Sequence, residues 1–340
     1  MPPADRPTHD GRPPSGAPHL GPHVVGQRVV VRRVVAGETG PSGGPAQTDV
    51  LGTCESWTDT SLAVRREDGE LVEIALADVV AGKPVPPRPS VHHRLPAEEA
   101  DRLAAPGWSP LEQERLGGWL LRASAGFSSR GCSVLALGDP GVPLDEAVTR
   151  VEQWYAARSL PARAHVLPGS PAAGALEAAG WSAYETTLLM LASLARVVRR
   201  LDAPRVEVVE TDVVDAAWLA TDERSRSFGE AARAVLEAGE VTFATVRDGT
   251  GAVVARGRGT VHGDWCGVSG LWTREDHRGR GLSRAVVGAL LERGAERGAT
   301  TTYLQVVAAN TGAQRLYERL GWSEHHRYDY LEAPRRRASD

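Results

Sequence analysis

Two stretches of the sequence repeat each other at a fixed offset, and this repeat constrains the fold more than any other feature. AAGALEAAGWSAYETTLLML (residues 172–191) lies over AQRLYERLGWSEHHRYDYLE (residues 313–332), with Trp181 and Trp322 standing 141 residues apart in a shared Gly-Trp-Ser. Each copy reads as a short helix, a glycine stop and a strand. Upstream of the first copy, LDEAVTRVEQWYAARSLPARAHVL supplies a further helix and strand. The same order recurs before the second copy. Residues 91–203 and 204–332 are therefore expected to form two related α/β units side by side.

The second of these units is the easier to read. RVEVVE is a strand and VDAAWLATDERSRSF a helix, with apolar residues at roughly helical spacing. EVTFATVRD, AVVARGRGTVH and DWCGVSGLW make a three-strand meander. A helix, the strand TTYLQVV, the helix TGAQRLYERLG and the strand RYDYLE complete it. The order β-α-β-β-β-α-β-α-β mixes hairpins with crossovers, which means a mixed sheet with helices packed on it. The fold class is thus α/β, an α+β mixed sheet in tandem.

Residues 24–88 read differently, as short strands joined by turns with one long Gly/Pro loop, AGETGPSGGPAQ. That pattern is similar to small SH3-like β-barrels. Acidic residues outnumber basic ones there, which argues against nucleic acid as a partner. GKPVPPRPS, residues 82–90, is a stiff proline-rich linker. Residues 1–23 read as a disordered tail, and 333–340 as a carboxy-terminal tail. Net charge is −4, the three cysteines are widely spaced, and no apolar run reaches membrane-spanning length. A cytoplasmic protein without a structural metal, a disulfide framework or a membrane partner is expected.

One stretch points to chemistry. EDHRGRGLSRAVVGALL puts Arg278, Gly279, Arg280 and Gly281 directly before an apolar helical run. A helix start offers unpaired N–H groups and a positive dipole end, so its natural guest is an anion. The glycines let the turn present amides to a ligand, and Arg278, Arg280 and Arg284 add charge. An ordinary solvated turn is the alternative.

Together with the strand and helix downstream, this turn resembles that of the GNAT superfamily of acyl-CoA-dependent N-acetyltransferases. That family carries Arg/Gln-x-x-Gly-x-Gly/Ala between a strand and a helix, matched here by Arg278-Gly279-Arg280-Gly281-Leu282-Ser283. Only the last position departs, and serine is still small. YLQVVAANTGAQRLYERLGW then supplies Asn310, Leu316, Tyr317, Gly321 and Trp322 in the family's order. The resemblance covers about 130 residues and implies acetyl-CoA as co-substrate, with its pyrophosphate on the turn. It also implies that backbone amides of Leu271, Trp272 and Thr273 hold the pantetheine and polarise the thioester carbonyl.

Asn310 reads as a helix N-cap, and the resemblance adds a cofactor contact. By spacing alone Tyr317 is a core tyrosine. The resemblance makes its hydroxyl the proton donor to the leaving thiolate, and Tyr317 the catalytic residue. The implied reaction is attack of a primary amine, on a protein lysine or a small molecule, on the thioester. Its base is open, with Glu223, Glu240 and Asp264 as carboxylate candidates. In the first unit the offset puts Leu176 at the place of Tyr317 and LGDPGV at the place of the cationic turn. That unit is therefore expected to be a degenerate partner. Similar tandem proteins occur among actinobacterial acetyltransferases, one subgroup of which adds an SH3-like barrel. The competing reading is a protein-binding regulator that senses acyl-CoA without much catalysis.

Overall fold

The computed structural model describes residues 20–39, 43–66, 69–85 and 94–334. The chain divides at residue 88 into two compact units. The first holds strands β1 (Arg28–Thr39), β2 (Pro45–Trp57), β3 (Ser61–Arg66), β4 (Leu71–Ala75) and β5 (Val79–Pro84). They form an antiparallel sheet in the order β4-β3-β2-β1-β5. Val50, Gly52 and Cys54 of β2 alternate inward, and they face a core of Val29, Val31, Leu62, Val64 and Ile74. This core starts before residue 24: Leu20 is buried in it, and Pro22–Val24 forms a helical turn that inserts Val24. Residues 1–19 of the expected tail lie outside the described residues, as do 335–340. Of the expected linker, residues 82–84 belong to β5 and 86–90 lie outside the described residues.

The second unit begins with α1 (Ala97–Ala104), β6 (Glu112–Leu116), β7 (Trp119–Ala123) and β8 (Val134–Leu135). Next come α2 (Leu144–Ala156), β9 (Arg163–Val166), α3 (Pro171–Ala178), β10 (Ser182–Ser193) and α4 (Leu194–Arg200). Its second half holds β11 (Val209–Thr211), α5 (Ala216–Leu219), α6 (Glu223–Leu236), β12 (Glu240–Arg247), β13 (Val253–His262) and β14 (Trp265–Thr273). α7 (Leu282–Glu296), β15 (Thr301–Val307), α8 (Thr311–Leu320) and β16 (Ser323–Glu332) complete it. Two expectations are corrected here. Of RVEVVE only its last two residues, Val209 and Glu210, are in a strand, and the single helix expected over residues 214–228 is two. The carboxylate of Asp222 accepts the Ser225 amide at 2.8 Å and starts a new helix, so capping overrides the apolar period.

All strands of this unit join one sheet, ordered β11-β12-β13-β14-β15-β10-β16-β9-β8-β7-β6. The repeated halves do not simply stand side by side, as the sequence suggested. They exchange their last strands: β10 of the first half lies between β15 and β16 of the second, and β16 lies between β10 and β9. Thr187 pairs with Tyr328, and these two positions differ by the same 141 residues as the tryptophans. A local two-fold axis therefore runs through this pair. Side-chain packing follows the exchange. Leu188 and Met190 of the first half enter the core around α7, and Leu331 of the second half enters the core around α2.

Candidate active site

β14 and β15 run parallel and pair from Trp265 with Thr301 to Val268 with Leu304, after which they part. The gap opens a cavity of about 330 Å³, within the range of small-molecule sites. Successive residues of β15 point to opposite faces of the sheet. Leu304 and Val306 pack in the core beneath α7 and α8, whereas Tyr303 packs against Ala100 and Ala104 of α1. Both sets line the cavity, so it passes through the sheet. Asn310, Ala313 and Tyr317 wall the α8 side, and Gly107, Trp108 and Arg130 wall the other.

The glycine turn lies at the mouth of α7. Gly279 and Gly281 have φ of 77° and 78°, left-handed values that favour glycine. Among the described residues, the amides of Gly279 to Ser283 have no hydrogen-bond partner within the protein. A Cβ on Gly279 would meet nothing within 4 Å, so the space above the turn is open. Arg278 and Arg280 are anchored by their own loop, donating to the Thr273 and Asp276 carbonyls at 3.4 and 3.0 Å. Leu282 is buried in the core, leaving only its amide to face a ligand. The turn thus combines free donors, fixed cations and a 15-residue helix pointing its N-terminus outward.

Leu271 is on the cavity wall, while Trp272 and Thr273 lie beyond it, along the same strand toward the turn. Asn310 caps α8, its side-chain oxygen accepting the Ala313 amide at 3.1 Å. Tyr317 sits one helix face away, its ring edge-on to Trp322 at 6.0 Å. Its hydroxyl has no partner among the described residues, and burial pushes its pKa above the usual value. The phenol is therefore protonated at neutral pH and free to donate.

The opposite side contains residues that sequence reasoning missed. Tyr303 donates to the Ala104 carbonyl at 3.0 Å, and burial pushes its pKa up to about 12. A Cβ on Gly267 would fall 2.5 Å from the Tyr303 ring, and one on Gly107 2.0 Å from its hydroxyl. Both glycines are thus set by space. Trp108 and Arg130 come from the first half, far away in sequence, and no local pattern marks them. None of the three carboxylates weighed as a base lines the cavity. Glu240 pairs with Arg297 at 3.2 Å, Asp264 sits in the β13–β14 turn, and Glu223 opens α6.

The first half differs at the three corresponding places. Leu176 is buried where Tyr317 would stand. In its counterpart of the turn, the Asp139 carboxylate accepts the Gly141 amide at 2.7 Å, so an internal anion takes up that donor. Beside β8 and β9, the cavity lined by Leu135 and His165 holds only about 10 Å³, room for roughly one water.

Comparison with known proteins agrees with this architecture. Residues 97–331 match the family described as "Probable histone acetyltransferase Rv0428c C-terminal", and residues 23–83 match its "N-terminal Sm-like domain". The small barrel is thus an Sm-like one in that family's terms. The chain is 31% identical to "Probable histone acetyltransferase Rv0428c" of Mycobacterium tuberculosis, over 91% of this chain and 95% of that one. It is 28% identical to "Uncharacterized N-acetyltransferase YobR" of Bacillus subtilis, over 66% of this chain and 95% of that one. A GCN5-related N-acetyltransferase from Kribbella flavida shares the fold, with a TM-score of 0.51 at 20% identity, covering 70% of this chain and 95% of that one. With its tandem α/β body and small amino-terminal barrel, the chain belongs to the Rv0428c family of GNAT-fold acetyltransferases.

Proposed function

We propose that the β14–β15 cleft transfers an acetyl group from acetyl-CoA to a primary amine. In this reading the Arg278–Ser283 turn binds the pyrophosphate. The observation that carries it is the set of free amides at the start of α7, beside a cleft that crosses the sheet. Five unpartnered N–H groups among fixed arginines suit a doubly charged diphosphate. Acetyl-CoA supplies the activated acyl group. In the stretch Leu271, Trp272 and Thr273, the main-chain donors that face away from β13 lie along the edge of β14 that β15 has left. Asn310, already fixed by its capping bond, holds the far side.

The amine nitrogen bonds to the acyl carbon and the carbon–sulfur bond breaks. Tyr317 gives its hydroxyl proton to the departing sulfur and is reprotonated from solvent. Among the described residues no carboxylate lines the cleft, so the amine's proton leaves through water. The first half serves as a wall for the acceptor side and has no transfer site of its own.

The test is calorimetric titration of CoA into Gly281→Asp. A Cβ at that position would meet Pro204 at 2.9 Å and Arg284 at 3.0 Å, and the carboxylate opposes the diphosphate. Affinity should fall at least tenfold, about 1.4 kcal/mol. Unchanged affinity in a folded variant would remove the turn from the site.

A further inference from the structure

On the side of the sheet away from α7 and α8, the cleft carries charge of one sign. Arg130 lines it, with Nη2 donating to the Gln305 carbonyl at 3.2 Å. Among the described residues Arg130 has no ion-pair partner. Glu185 acts on it from beyond that range, and the Thr187 hydroxyl donates to the Glu185 carboxylate at 3.2 Å. Arg258, on the same face of β13, is 0% exposed. It donates to the Leu236 and Gly107 carbonyls at 2.7 and 2.9 Å and leaves Nη2 without a partner. Burial lowers its pKa to about 10, which still leaves a cation at neutral pH.

Both guanidinium groups stand over Trp108, with their carbons 5.8 and 5.2 Å from the ring centroid. Arg256, two residues away on β13, shows the contrast. It is saturated by the Asp222 carboxylate at 2.7 Å and the Gly270 carbonyl at 2.6 Å. The small cavity adjoining the cleft shares Arg130 and Trp108 with it and is also lined by Tyr330. Asp101, whose carboxylate also lines that small cavity, is engaged through one oxygen by His165 and His326, and among the described residues no Asp or Glu lines the cleft itself.

An amine whose only charge is its ammonium would enter this site against two guanidinium groups. An amine that also carries a carboxylate brings the missing counter-charge. Resting on the acetyl-transfer reading above, we propose that the acceptor is a carboxylate-bearing amine of amino-acid size, seated through its carboxylate by Arg130. The planar guanidinium matches a carboxylate in two parallel hydrogen bonds, which fixes the amine's direction as well as its presence. Arg258 stands behind as a fixed field. The carboxylate is unchanged in the reaction: the new bond is N–C, the broken one C–S, and the amine proton goes to water.

Full-length protein, acetyl-CoA and paired acceptors test this, with thiol release followed by a thiol-reactive dye. Each pair is a natural α-amino acid and the amine left when its carboxyl group is removed. At least one amino acid should be acetylated, with kcat/KM tenfold or more above its decarboxylated partner. Arg130→Gln should raise the KM for that amino acid at least tenfold and leave the KM for acetyl-CoA unchanged, while Arg130→Lys retains part of the preference. Three results overturn the proposal: faster turnover of the decarboxylated partners, no acetylation of any amino acid, or acetylation only of lysines in peptides with amidated termini. Calorimetry with acetyl-CoA on the same sample separates the two levels. Absent binding defeats the acetyl-transfer reading itself, whereas binding with the wrong acceptor preference defeats only the role of Arg130.

Discussion

Thr187 of β10 pairs directly with Tyr328 of β16, at the point where the repeat folds onto itself. Because the strands on either side are exchanged, neither repeat holds its own central strand. Cut at 203/204, the carboxy-terminal fragment loses β10, the strand that pairs with both β15 and β16. It also loses Leu188 and Met190 from its core. At about 2–5 kcal/mol for each large buried side chain removed, these two alone are comparable with the whole stability of a typical domain, before the lost strand pairing is counted. Residues 204–332 alone should give no cooperative thermal transition by circular dichroism, whereas co-expression with residues 91–203 restores one. A cooperatively melting 204–332 monomer would contradict the exchange.

Gly267 is set by the ring it touches. An alanine there puts a methyl 2.5 Å from the Tyr303 ring and 2.7 Å from the Thr260 hydroxyl. Tyr303 is held on its far side by the Ala104 carbonyl and has no room to retreat. Gly267→Ala should therefore destabilise by about 1–3 kcal/mol through overpacking. Gly259→Ala is the control, since its nearest neighbour is the flexible end of Leu290, at 3.2 Å. Melting temperatures of the two variants check the difference, and equal losses would refute it.

A buried polar trio gives the protein a pH dependence. His165 Nε2 lies 2.9 Å and His326 Nε2 3.1 Å from the same oxygen of Asp101, and His165 stacks on Tyr328 at 3.7 Å. Burial holds the His165 pKa below its usual value, against the pull of Asp101. Burial also opposes the charge on Asp101, but the two imidazoles outweigh it and hold its pKa below the usual range. Both shifts are downward in the folded state. Stability from His165 is thus complete above about pH 6.5, its unfolded value, and is lost as pH falls toward the native one. Asp101 adds a further loss below about pH 4. Urea midpoints should fall from pH 7 to pH 5, and His165→Gln should flatten that slope. A wild-type midpoint constant over this window would exclude the assignment.

Much of this architecture is legible in the sequence, because helices, strands and turns are local chemistry. β15 forms at TTYLQVV, and α8 starts at its asparagine cap, where an Asn and an apolar period say it should. The turn at 278–281 is readable because two glycines among arginines leave few other uses for it. The exchange of strands is not readable: the repeat offset is the same whether β10 stays with its own half or crosses. Trp108 and Arg130 are likewise hidden. They reach the cleft only because α1 and the segment after β7 pack on the far face of a sheet whose strands come from both halves.

Tyr317 gives the most direct test of the chemistry. It lines the cleft on the α8 side, its hydroxyl has no protein partner among the described residues, and burial keeps the phenol protonated. If that proton goes to the departing sulfur, Tyr317→Phe should lower kcat by about tenfold to a hundredfold, since a thiolate leaves tolerably well unaided. Affinity for acetyl-CoA should hardly change, because the ring and its edge-on contact with Trp322 remain. Stability should also hold, because no hydrogen bond to the hydroxyl is lost. A tyrosine that merely fills space predicts normal kcat in the phenylalanine variant. The two outcomes separate when kcat, acetyl-CoA affinity and melting temperature are measured on one preparation. Wild-type kcat in the variant would strip Tyr317 of its catalytic role while leaving the cleft as the place of transfer.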